Sequence, residues 1–147
     1  MIAKNTLDAF VSLDPENKEY YQANYEQLTK EIGETEKTVS GLLHSLDNKT
    51  FIIYHPALTY YARAYGIEQV AIEQDGKEPS AKRLARLIEQ ARRDSIRVVF
   101  YQSQFPASTV EVIAEDIGAQ SVRIDPLAED VVGNISYITD LITAERL

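Results

Sequence analysis

A chain of 147 residues with 44% hydrophobic and 26% charged side chains is long enough to bury one core, and its composition excludes intrinsic disorder. A net charge of −8 argues against a nucleic-acid partner, because phosphate binding needs clustered Lys and Arg. The absence of cysteine removes disulfides and thiolate metal sites, and no apolar stretch approaches the roughly 18 residues of a membrane span.

The opening residues, Met1-Ile2-Ala3-Lys4-Asn5-Thr6-Leu7, lack a basic stretch followed by an apolar one and do not make a signal peptide. They resemble the middle of a helix, and the expectation is that the chain is a piece of something longer. Asp14-Pro15-Glu16-Asn17 predicts a helix start, with Asp14 as cap and Pro15 at the first helical position. Beyond it Tyr21, Tyr25, Leu28, Ile32, Thr35, Val39, Leu42 and Leu46 recur in steps of four and three, a heptad seam. A helix from Pro15 to about Leu46 would be ~48 Å long at ~1.5 Å per residue. That is more than a lobe of some 100 residues, with a radius of gyration of ~13 Å, needs for its own packing. Gly33 and Gly41 weaken the helix locally and Asp47-Asn48-Lys49 ends it. Such a seam fits either a coiled-coil dimer or a strut along a larger body. Residues 1–50 thus form a helical segment and residues 51–147 an α/β lobe.

From Phe51 strand and helix patterns alternate. Strands are predicted at Phe51–His55, Gln69–Glu73, Arg97–Gln102 and Ser121–Asp125. Helices are predicted at Ala57–Tyr65, Ser80–Asp94, Ser108–Ile117 and about Val132–Arg146, with Gly66 and Gly118 just past helix ends. Leu84, Leu87, Ile88 and Ala91 lie on one face of the second of these, the stripe of a helix covering a sheet. The alternation predicts a four-stranded parallel sheet flanked by helices, preceded by the long connecting helix.

No G-x-G-x-x-G, P-loop or G-x-S-x-G pattern occurs, so the common nucleotide and hydrolase signatures are missing. Ser103, His55 and Asp125 would make a triad on paper, but the residues after Ser103 supply neither an oxyanion hole nor a sharp strand-to-helix turn. His55 and Asp125 each leave a predicted strand at its carboxyl end and each precede a proline, at the edge where open α/β sheets bind ligands. One imidazole and one carboxylate suit a borderline cation such as zinc, as half of a four-ligand shell. The bland alternatives are a hydrogen-bonded polar residue at position 55 and a turn or cap residue at 125. Gln102, ending the third strand, is a candidate for an outer contact to a ligand. His44, near the end of the long helix, reads as solvated or capping. Most of the nine tyrosines read as packing.

Several of these stretches together resemble one family. Phe51-Ile52-Ile53-Tyr54-His55-Pro56-Ala57, Tyr60, Tyr65-Gly66, Glu78-Pro79-Ser80, Phe100-Tyr101-Gln102-Ser103-Gln104-Phe105 and Asp125-Pro126-Leu127 are similar to the C-terminal lobe of metal-specific solute-binding proteins of ABC importers, the zinc and manganese type. Asp14-Pro15-Glu16-Asn17, Tyr20-Tyr21 and Asn24 resemble the opening of that family's connecting helix, and Ile2-Ala3-Lys4-Asn5 the helix before it. The resemblance implies two α/β lobes joined by a rigid helix, with the metal held between them. The amino lobe, absent from this chain, would give two histidines, and the carboxyl pair would fall on His55 and Asp125. Histidine at 55, where relatives also carry glutamate, resembles the zinc-preferring branch, with manganese as the second candidate. Gln102 departs from a frequent glutamate. The resemblance further implies a non-enzymatic, extracytoplasmic parent, periplasmic or lipid-anchored, that delivers metal to an ABC permease. The alternative is a metal-independent interaction module, adhesin-like or dimerising through the heptad face. The oligomeric state stays open, and a small flavodoxin-shaped enzyme lacks any phosphate-binding loop to support it.

Overall fold

The computed structural model describes residues 1–74, 76–105 and 107–144. The chain divides into two compact units, Met1–Val39 and Ser40–Leu147.

The first unit is helical. Helix α1 spans Ile2–Leu13, a 3-10 turn covers Pro15–Asn17, and helix α2 begins at Lys18 and ends at His44. Asp14 does not cap: its carboxylate instead accepts hydrogen bonds from Asn17 Nδ2 and from the Tyr21 hydroxyl, both at 2.8 Å. The amide of Asn17, followed by the Tyr21 hydroxyl, lowers the Asp14 pKa below the usual carboxylate value. Tyr21 also stacks on Phe10, with ring centroids 5.2 Å apart, which ties α1 to α2.

Helix α2 runs unbroken through Gly33 and Gly41, and its 27 residues give ~40 Å rather than ~48 Å. The seam is only partly buried. Leu28, Ile32 and Leu42 are 39%, 45% and 38% exposed, whereas Val39 and Leu43 are each 1% exposed. Leu43, not Leu42, is therefore the buried residue. A straight α-helix drifts ~20° per heptad against a 3.5-residue repeat, so after three heptads the inward line has moved toward the next residue.

The second unit is an α/β sandwich. Strands β1 (Thr50–Ile53), β2 (Glu68–Ala71), β3 (Val98–Gln102) and β4 (Gln120–Ile124) form one sheet of order β2-β1-β3-β4, parallel throughout. They alternate with helices α3 (Thr59–Tyr65), α4 (Ala81–Arg93), α5 (Ala107–Ile117) and α6 (Val131–Thr143). The predicted end of the last helix at Arg146 lies outside the described residues. Sheet and helices are as expected, except that β1 and β2 start one residue earlier and end two earlier, β3 starts one residue later, and β4 is shifted back by one.

Period-two alternation sorts the strand residues. Ile52, Tyr54, Ile72 and Val99 pack with Leu87 and Ala91 of α4 and Val110, Ile113 and Ala114 of α5, while Leu84 and Ile88 close the edge of that cluster. On the opposite face Phe51 meets Phe100 edge-to-face at 5.9 Å. Right-handed crossovers carry α3 to that second face, away from α4 and α5. There α3 is joined to α6 by the Tyr61 hydroxyl and Thr139 Oγ1, 2.7 Å apart. Because Thr139 Oγ1 already donates its one proton to the Ile135 carbonyl at 2.7 Å, Tyr61 is the donor in this pair.

Burial pushes the Tyr61 hydroxyl up to about 12. A folded pKa above the unfolded value of 10.0 favours the fold below pH 10, and that contribution is lost as pH rises toward 12. Tyr61→Phe is expected to cost about 0.5–1.5 kcal/mol at neutral pH and to flatten part of the alkaline loss, read as urea midpoints from pH 8 to 12. Helix α3 stops at Gly66, whose φ of +64° needs a residue without a Cβ penalty.

Candidate metal centre

Four consecutive residues, Phe51 to Tyr54, are buried, and the next, His55, is not. The change comes from Pro56: a residue before proline is held out of the helical region, so the chain leaves the sheet at His55 in an open bend. The His55 carbonyl is fixed by two donors, the Ala57 amide at 2.7 Å and Gln102 Nε2 at 2.9 Å. Gln102 is itself 2% exposed and ends β3. Extending the pairing of Ile53 with Phe100 by two residues sets His55 level with Gln102. The order β2-β1-β3-β4 places these two on either side of the point where the crossovers diverge, the ligand crevice of an open α/β sheet.

The imidazole is held on two sides. Its Nδ1 lies 3.0 Å from Glu73 Oε2, and its ring stacks on Phe105 with centroids 5.1 Å apart and planes 21° apart. The His55 side chain is 45% exposed and that of Glu73 only 8%. Glu73 Oε1 accepts from the Gly76 amide at 3.0 Å. Glu73, expected only as the last residue of a strand, stands two residues beyond the end of β2. The available signal was register: pairing Ile53 with Ala71 and adding two residues sets position 73 beside 55.

Asp125 follows β4 and is exposed. Its Oδ1 accepts from the Leu127 amide at 3.0 Å, and its carbonyl accepts from Asn134 Nδ2 at 2.9 Å. The turn role weighed for Asp125 is therefore real, and it engages one carboxylate oxygen. Strands β1 and β4 flank β3, so the backbones of His55 and Asp125 are separated by about two inter-strand spacings, roughly 10 Å. A cation bonded at ~2.0–2.2 Å to a side chain from each rim position fits such a gap. The structure joins His55 to Gln102 directly and puts Asp125 on the same edge without a direct bond to either. His44 ends α2, exposed. Among the described residues no three His, Asp or Glu side chains form a ready metal cluster.

The chain is matched by a known family. The model of ZnuA, zinc-uptake complex component A, periplasmic, aligns with residues 1–143. The chain belongs to the ZnuA family. The high-affinity zinc uptake system protein ZnuA of Bacillus subtilis is 30% identical over 126 residues, 84% of this chain and 40% of that protein. A crystal structure of ZnuA superposes with a TM-score of 0.88 at 33% identity, covering 96% of this chain and 55% of that one. The chain thus spans about half the length of the ZnuA proteins it matches. The laminin-binding protein of Streptococcus agalactiae, described as bifunctional with adhesin and metal-transporting activity, superposes at 0.81 over 95% of this chain and 58% of that one. Its identity of 20% makes it a likeness of fold. No helix among the described residues is long and apolar enough to cross a membrane.

Proposed function

We propose that this chain is the carboxyl lobe, with the connecting helix, of an extracytoplasmic zinc-binding protein that captures the metal and delivers it to an ABC permease. Residues 1–50 carry the helical connection and residues 51–147 the metal-binding lobe. The observation that carries the reading is the shared rim: His55 and Asp125 leave two strands of one parallel sheet at the same edge, beside its crevice. His55 supplies a nitrogen donor and Asp125 its uncommitted oxygen, half of a tetrahedral shell. Gln102 supports the pair through the His55 carbonyl. A nitrogen donor favours zinc over manganese on ligand softness. The role is capture rather than catalysis. The metal-independent, adhesin-like reading is not favoured, since its support is a likeness of fold at 20% identity.

Calorimetric titration with zinc chloride tests this. One weak site per chain is expected, and the double variant His55→Ala, Asp125→Ala is expected to show none. Undiminished zinc heat in that double variant overturns the proposal.

A further inference from the structure

We propose that Glu73 is the positioning residue of this centre: its carboxylate accepts the hydrogen bond from His55 Nδ1–H and so turns Nε2, with its lone pair, outward to the cation. The inference rests on the ligand role proposed for His55.

A neutral imidazole carries one proton, on either nitrogen, and a carboxylate only accepts. With Nδ1 3.0 Å from Glu73 Oε2, the proton belongs on Nδ1. Nε2 is then the basic nitrogen, on the ring edge away from Glu73, and the ring is half exposed. Stacking on Phe105 and the two bonds to the His55 carbonyl remove ring tilt and backbone drift. Metal-binding histidines recurrently use such a carboxylate partner, which sets the tautomer and raises basicity at the free nitrogen. Glu73 does not itself suit the role of ligand. It is 8% exposed, and each oxygen is taken, Oε2 by His55 and Oε1 by the Gly76 amide. That second bond fixes the carboxylate in turn, so the chain of contacts runs from a backbone amide through Glu73 to the imidazole.

Glu73→Gln separates positioning from mere support. Glutamine keeps an oxygen for the Gly76 amide, yet its NH2 donates to Nδ1 and moves the ring proton to Nε2. Imidazole nitrogen NMR of the metal-free chain is expected to show the Nδ1–H form in the parent and a shift toward Nε2–H in Glu73→Gln. Zinc affinity is expected to fall about 10–100-fold with an unchanged melting temperature. Parental tautomer and parental zinc affinity in Glu73→Gln overturn the inference while the His55 ligand role stands. Zinc binding that survives His55→Ala removes the ligand role instead, and the metal-free tautomer still decides what Glu73 does. If Glu73→Gln fails to fold, an Nε2–H ring in the parent chain is by itself enough to overturn the inference.

Discussion

Replacing His55 with alanine is expected to lower the zinc affinity of this chain by at least about 100-fold, the upper end of what losing an outer contact alone costs. The argument is geometric. Of the two proposed ligands, His55 is the one whose orientation is fixed from several sides, by Glu73, Phe105 and Gln102. Asp125 brings one uncommitted oxygen from an exposed turn. A pre-oriented donor gives up little rotamer freedom when the cation arrives, so its deletion is felt in full. The fold should tolerate the change, because the side chain is 45% exposed and stands outside the core cluster. The remaining cost is the Glu73 carboxylate, which loses one partner, about 1–3 kcal/mol. Zinc calorimetry beside a melting curve distinguishes loss of a ligand from loss of the lobe, and parental zinc affinity in a folded variant would sink the assignment.

Phe100→Ala is expected to be the most damaging single core change, at about 3–5 kcal/mol. Phe100 is 0% exposed at the centre of the sheet, bonded on both sides, and its ring meets Phe51. Truncation removes that edge-to-face contact and leaves a cavity on the second face of the sheet. For a unit of this size a loss of 3 kcal/mol lowers the melting temperature by roughly 12 °C or more. A fall of only a few degrees by calorimetry would mean that the second face of the sheet is less tightly packed than its burial implies.

The fold was largely legible because its signals are local. Runs such as Phe51-Ile52-Ile53-Tyr54 are short, apolar and bounded by polar or turn residues, and Leu84, Leu87, Ile88 and Ala91 repeat at helical spacing. Gly66 and Gly118 marked helix ends, and both have positive φ. What escaped depends on partners distant in sequence or on accumulated angle. Leu43 displaces Leu42 because a heptad template ignores the drift of a straight helix. Asp14 turns its carboxylate to Tyr21 instead of the helix amides because a phenol seven residues on reaches it. At the candidate site, His55, Gln102 and Asp125 could be placed on one edge from strand ends alone. Glu73 could not be singled out that way, since its part depends on the register between β1 and β2.

If His55 is a ligand as proposed, its bond to Glu73 also restricts how the cation preference of this lobe can change. An acidic residue at 55, the harder oxygen donor, would bring a second negative group against a buried one at hydrogen-bond distance, and the two could not both stay charged at tolerable cost. Exchange of donor type at 55 therefore has to travel with a substitution at 73. On the proposed ligand role of His55, selectivity in this lobe would be a property of a linked pair, one member facing the metal and the other out of its sight.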